Sequence, residues 1–297
     1  MTMLFRKRKL RILLLVDTRD WALHTIARAI KKYLSDQFEF EIRISDESPE
    51  IKGSNFDILH VLYGCDTYHR KFPRGNEKVI KGVYGHSWHE LKISVQEFYK
   101  EFLRESHAVT VSSKKLLSAL SDIPPAVFLF PEGVDTQIFR PLCQRSGELT
   151  VGWAGTPNRE LKRLSWLKEA CDGICELKLA EGFLSQNEMV AFYNSIDVIA
   201  CSSKFEGAPR PLLEGMACGA FPVSFDVGIA PELIDHGVNG ILVDDECAAG
   251  LKNAFIWCKD NLDFVRKTRQ MNVEYIRATR TWEQALSRLP EIYYSVL

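Results

Sequence analysis

Long apolar runs are missing from this chain. No stretch approaches the roughly 18 residues of a membrane-spanning helix, and the nearest candidate, LRILLLV at 10–16, is short and followed by charge. That argues against a spanning segment and against a secretory leader. Paired cysteines are missing too: residues 65, 143, 171, 175, 201, 218, 247 and 258 are cysteines with no C-x-x-C spacing. Cys201 and Cys218 lie in apolar runs and read as buried small hydrophobes, so a reduced, cytoplasmic setting is expected. Metal-ligand patterns are equally scarce. HSWHE at 86–90 has the order H-x-x-H-E, which is not the H-E-x-x-H of zinc proteases. Repeats and low-complexity tracts are absent. An excess of one charge is also lacking, with a formal net charge of −1. The first 140 residues are mildly basic and the remainder mildly acidic, which does not demand a nucleic-acid partner.

What is present is alternation over a length suited to two domains: 297 residues, 46% hydrophobic. RILLLV (11–16) has the pattern of a buried strand, and WALHTIARAIKKYL (21–34) has helical spacing through Trp21, Ile26, Ala29 and Ile30. That register favours a core role for Trp21 over stacking on a sugar or a base. FEFEIRI (38–44), FDILHVL (56–62), EKVIKGVY (77–84) and AVTVSS (108–113) read as strands, and ISVQEFYKEFLRESH (93–107) as a helix. His60, on a strand, reads as structural. After the polar, Gly/Pro-marked and linker-like stretch 131–148 the pattern restarts. LTVGWAG (149–155), CELKLAEG (175–182), DVIACSS (197–203), AFPVSF (220–225) and GILVD (240–244) are its strands, with helices between, one of them capped by Ser185. Strand–helix alternation of this kind predicts parallel sheets covered on both faces. The expected organisation is an N-terminal Rossmann-like domain over 1–145, a second over 146–279, and a final helix over 280–297.

The densest stretch is KFEGAPRPLLEGMACGAFPV (204–223), which places Glu206 in a Gly/Pro-bent loop after a strand and Glu214 on the following helix. In open parallel sheets ligands gather beyond the C-terminal ends of strands, and a helix start there directs free amide N–H groups at an anion. A carboxylate accepts two hydrogen bonds in a fork, so Glu214 suits a ribose diol. The same residues equally fit a helix-start acid favoured by the helix dipole and a plain surface glutamate.

FEGAPRPLLEGMACGAFPVSFDVGIAPELIDHGVNGILVD (205–244) resembles the donor-binding signature of the retaining GT-B glycosyltransferases of family four, the group 1 glycosyl transferases. PEGVDTQIFRP (131–141) resembles that family's interdomain segment, and VGWAG with Lys162 its first C-domain strand and phosphate-binding lysine. The resemblance is specific over about 131–245 and diffuse before it. It implies a GT-B fold, two doubly wound Rossmann-like domains facing across a cleft, the first on the acceptor side with the helix 280–297 packing back on it and the second binding the donor, and sugar transfer from a nucleotide-sugar donor with retention at the anomeric carbon. By the same resemblance Glu206 lies at the donor sugar with the amides of Gly207 and Ala208, Glu214 binds the ribose, and Lys162 neutralises the diphosphate. An ammonium suits the last role, since charge builds on the leaving diphosphate. His86, after a strand, is the implied sugar contact from the first domain. The chain departs from the family at Thr156, where many relatives have an arginine, and Arg159 or Arg163 is the candidate replacement. No D-x-D metal–nucleotide handle occurs, so metal-independent chemistry is expected and no cofactor is implied.

The loop VDTRDWAL (16–23) has no glycine where relatives hold a Gly-rich diphosphate loop, which favours acceptor contact there. Arg6, Lys7, Arg8, Lys9 and Arg11 form a basic run that is either a solvated terminus or a weak contact for a membrane surface or a nucleic acid. The acceptor stays open between a glycan, a lipid-linked sugar, a protein and a modified nucleic-acid base. Two other classes fit the same residues: a non-catalytic nucleotide-sugar-binding subunit, and a phosphorylase or epimerase on the same fold.

Overall fold

A computed structural model describes residues 8–52, 55–182 and 184–297. Arg6 and Lys7 of the basic run lie outside the described residues. The chain divides into two compact units, one made of 1–130 with 286–297, the other of 131–285.

The first unit is built on a six-stranded, wholly parallel sheet. Its strands are β1 (Arg11–Val16), β2 (Glu39–Ile44), β3 (Ile58–Val61), β4 (Lys78–Val83), β5 (Ala108–Val111) and β6 (Ala126–Leu129), in the order β2-β1-β3-β4-β5-β6. β1, β3 and β5 are buried along almost their whole length, as expected of strands covered on both faces, with His60 and Thr110 the buried polar residues among them. β6 was not foreseen, because its four residues follow Pro124-Pro125 and show no alternation. Trp21 is a correction: it is 46% exposed rather than in the core. It is the extended N-cap residue before the helix Ala22–Leu34, so the helical register that groups it with Ile26 does not apply; His24, Ile26 and Ala27 turn inward instead.

The strand order reverses between β1 and β3, and there the loop conformation is fixed by buried polar groups. Lys81 is 1% exposed, and its Nζ donates to the carbonyls of Gly64 at 3.1 Å and Asp66 at 2.8 Å. Burial lowers its pKa to about 8. His60 is fully buried; its Nδ1 lies 3.0 Å from the hydroxyl of Tyr293, on the helix Leu289–Ser295. The expected single terminal helix is in fact two, Trp282–Leu286 and Leu289–Ser295, with Pro290 opening the second. Only the second belongs to the first unit, where Tyr293 packs edge-on against Phe38 at 5.4 Å.

The described members of the basic run lie at the opposite, strand-start edge of this sheet. Arg8 forks onto Asp57 at 2.7 and 2.6 Å, Lys9 donates to the Ser35 carbonyl at 2.8 Å, and Arg11 faces Glu39 at 3.9 Å. These cations therefore have partners within the unit.

The second unit carries five parallel strands, β7 (Thr150–Gly155), β8 (Glu176–Glu181), β9 (Val198–Cys201), β10 (Phe221–Phe225) and β11 (Ile241–Val243), ordered β11-β10-β9-β7-β8. Cys201 and Cys218 are buried in its core. The unit begins at Pro131 rather than near 145, because the supposed linker is bonded into it. Val134 bridges to Thr281, and Asn194 holds the Leu142 amide at 2.7 Å and the Arg140 carbonyl at 3.0 Å. Arg145 donates to the carbonyls of Gly219 at 2.8 Å and Cys218 at 3.2 Å, closing the end of the helix Arg210–Ala217. Burial lowers the pKa of Arg145 to about 10. No helix among the described residues is long and apolar enough to cross a membrane.

Candidate active site

In the second unit the strand order reverses between β7 and β9, so the loops that follow these two strands meet at the switch point. The loop after β7 ends in a single turn, Glu160–Lys162, and Arg163 completes it in the left-handed region at φ 48°. The loop after β9 runs from Ser202 to the helix start. Backbone and side chain tie the two together: Lys204 N–H donates to the Leu161 carbonyl at 2.8 Å, and Ser202 Oγ to the Lys162 carbonyl at 2.7 Å. This seats Lys162 Nζ 2.5 Å from Glu206 Oε1, with both side chains mostly shielded. Forty-four residues apart in sequence, the two are an ion pair in the fold.

Gly207 and Ala208 are buried beside this pair. The backbone of Gly228 is pressed against them: a Cβ there would lie 2.3 Å from the Gly207 carbonyl, and its φ is +52°. Only glycine accepts both conditions.

The helix Arg210–Ala217 starts with Pro211 in its first turn and lies close on β9, since a Cβ on Gly215 would meet Ile199 at 2.9 Å. Glu214, 8% exposed, sits one turn in. Its Oε2 accepts from the Tyr193 hydroxyl at 2.8 Å and its Oε1 from Arg210 Nη2 at 2.8 Å. Arg210 Nη1 in turn lies 3.5 Å from Glu132 Oε2, and its guanidinium sits 5.9 Å from the Trp282 ring centroid. Burial raises the Glu132 carboxyl to about 7 against the opposing pull of Arg210, and burial beside Glu214 raises the Tyr193 hydroxyl well above its ordinary value. Carboxylates thereby alternate with cations along Lys162–Glu206 and Glu214–Arg210–Glu132.

Of the two arginine candidates, Arg163 pairs with Glu246 and lies 4.2 Å over Trp166, while Arg159 is exposed in the loop after β7. His86 belongs to the first unit, at the N-terminus of the short helix Ser87–Leu91, with its ring 5.0 Å from Trp88 and stacked 5.8 Å from His89. The glycine-free loop after β1 is held by its own side chains: Thr18 Oγ1 donates to Asp46 at 2.6 Å and Arg19 forks onto Glu47 at 2.5 and 2.8 Å. Among the described residues no group of three or more His, Cys, Asp or Glu is placed to hold a metal ion.

Three members of the cluster escaped the reading of the sequence. Arg210 was legible, standing four residues before Glu214 on one helix face. Tyr193 and Glu132 come from distant segments and carry no such signal.

Residues 159–278, less than half of the chain, match the family model described as "Glycosyl transferases group 1". The matched stretch holds Lys162, Glu206, Arg210 and Glu214, but not Glu132 or His86. None of the curated proteins compared matches the sequence. Among solved structures, sucrose-phosphate synthase from Thermosynechococcus elongatus superposes with a TM-score of 0.76 at 14% identity, over 97% of this chain and 99% of that one. A glycosyltransferase from Rickettsia africae gives 0.72 at 15% identity, over 98% and 99%. HepE from Anabaena, solved in complex with UDP and glucose, gives 0.73 at 14% identity, over 96% and 100%. The fold is GT-B, two Rossmann-like α/β units with parallel sheets.

Proposed function

We propose that this protein is a retaining, metal-independent glycosyltransferase that moves a hexose or pentose from a nucleotide-sugar donor to an acceptor. The observation that supports this best is the meeting of Lys162 and Glu206 at the switch point of the second unit, inside the stretch that matches the group 1 model. Lys162 takes the donor diphosphate. An ammonium has three donors, so it can hold Glu206 and a phosphate oxygen together. Its attraction grows as the glycosidic bond breaks and charge collects on the leaving group. Arg159, exposed in the same loop, and Arg163, which pairs with Glu246, are the further phosphate candidates. Glu206 and the Gly207–Ala208 amides serve the sugar, with His86 as the contact from the first unit. Glu214 accepts the ribose hydroxyls through the lone pairs that Tyr193 and Arg210 leave open. No protein nucleophile is assigned; the leaving diphosphate takes the acceptor's proton.

UDP-sugars are the first donors to test, since HepE binds UDP and glucose. A mass-spectrometric screen of UDP-, GDP- and ADP-sugars should reveal slow donor hydrolysis by the wild type, followed by transfer once acceptor panels are added. If no nucleotide sugar binds or turns over, the proposal fails. Binding without hydrolysis or transfer would instead indicate a non-catalytic subunit.

A further inference from the structure

Glu132 lies outside the stretch that matches the family model, yet it ends in the same buried cluster as Glu214. It enters from Pro131–Gly133, a segment fixed by the backbone: Val134 N–H donates to the Arg280 carbonyl at 2.9 Å, and a Cβ on Gly133 would lie 2.8 Å from Trp282 Cα. The carboxylate is thus held in place from behind and is 4% exposed. Its Oε2 and the Nη1 of Arg210 face each other at 3.5 Å, and neither atom has a hydrogen-bond partner among the described residues. Arg210 meanwhile makes a full hydrogen bond to Glu214 at 2.8 Å. One guanidinium is therefore shared unequally between two buried carboxylates, and a shift of its position toward Glu132 is a shift away from Glu214.

We propose that Glu132 is a positioning residue for the donor site: acting through Arg210, its carboxylate sets how strongly Glu214 accepts hydrogen bonds from the ribose diol. This rests on the reading of Glu214 as the ribose-binding carboxylate. When Glu132 is ionised, Arg210 is divided between two anions, and Glu214 keeps more of its charge for the ligand. When Glu132 is protonated, Arg210 belongs to Glu214 alone, whose lone pairs are then the poorer acceptors. The groups that face this switch are Arg210 and Glu214 on the helix Arg210–Ala217, Tyr193 on the helix Gln186–Asn194, Glu206 in the loop after β9, and the uncharged Trp282 ring. Burial puts the Glu132 transition at about 7, within reach of ordinary buffers.

The test is calorimetric binding of UDP-glucose, or of whichever nucleotide glucose the donor screen selects, from about pH 6 to pH 8. A nucleotide sugar is chosen because its diphosphate has no terminal phosphate to titrate in that window. The wild type should bind several-fold more tightly at the upper end, a coupling of about fivefold, with net proton release on binding near the midpoint. Proton release is read from the wild type alone, by comparing buffers of different ionisation enthalpy, so it stands even if a variant misfolds. Glu132→Gln should still bind, with a profile flat to within about twofold and no proton release. Equal profiles in wild type and Glu132→Gln, or wild-type binding without proton release, would overturn the proposal and leave the donor site intact. Failure of the wild type to bind any nucleotide sugar would overturn both together.

Discussion

At the scale of single residues, the proposed donor site separates groups that would hold the ligand from groups that hold those groups. Lys162 and Glu214 are of the first kind in that proposal, and their loss should read differently. Glu214→Ala should weaken nucleotide-sugar binding by about 1–3 kcal/mol, the cost of removing charged hydrogen bonds. Lys162→Ala should lower kcat more than it weakens binding of the nucleoside portion, because its attraction grows with the leaving-group charge. Steady-state kinetics beside calorimetry separates the two, and unchanged donor binding in both variants would remove this site. Tyr193 is of the second kind: its hydroxyl donates to Glu214 and its ring is fully buried. Tyr193→Phe keeps the packing and removes one hydrogen bond, so stability should fall by about 0.5–1.5 kcal/mol in urea denaturation. The glutamate spacing was legible in the sequence, because two carboxylates eight positions apart straddle a loop and a helix turn. Of the partners of Glu214, Arg210 was legible four residues before it, but Tyr193 was not; nor was Glu132, the second carboxylate on Arg210, since both arrive only through the packing of separate segments.

At the scale of elements, strands were legible wherever an apolar run was long or alternating. β6 was not, having four residues behind two prolines. Trp21 was misplaced for the complementary reason: apolar spacing extends the helical pattern one residue too far, into an N-cap whose backbone is extended. The interdomain stretch 131–148 looked like a linker because it is polar, yet its polar groups are what bind it, with Arg145 closing a helix end and Asn194 clasping the chain. The loop carrying Glu206 depends on a close approach that composition alone could not reveal. Gly228→Ala would force a methyl group toward the Gly207 carbonyl at a positive φ. Overpacking of this kind costs about 1–3 kcal/mol. Because the strain falls on the Glu206 loop, the variant should lose donor affinity as well as thermal stability. Normal affinity in a destabilised Gly228→Ala protein would show that the loop adjusts without moving Glu206.

At the scale of the whole molecule, the two units should respond to pH in opposite senses. His60 and His69 in the first unit are held neutral by burial, each with its pKa lowered to about 3. An unfolded histidine titrates near 6.5, so the unfolded chain binds more protons between these values. The stability these histidines contribute is present above about 6.5 and is lost as the pH falls toward 3. Glu132 in the second unit works the other way. Its raised pKa means that its contribution is complete below about 4.5 and is lost as the pH rises through about 7. Thermal unfolding followed from about pH 5 to pH 8 should show the wild type losing stability relative to Glu132→Gln as the pH rises, while His69→Leu flattens the acid limb. Parallel profiles for the wild type and each variant would refute this. Exhaustive chelation should leave sugar transfer unchanged; loss of activity with rescue by Mn²⁺ would sink the proposed mechanism.

The terminal helix Leu289–Ser295 has a consequence for the order in which the molecule can be made. Its Tyr293 meets Phe38 and His60, residues that leave the ribosome more than two hundred positions earlier. Translation runs from the amino end, and domains generally fold as units as they emerge. The Phe38 and His60 surface of the first unit therefore stays uncovered by this helix while the whole of 131–285 is synthesised. The second unit, continuous in sequence, can close before the first is complete. The first unit is thus completed only after the second has been made.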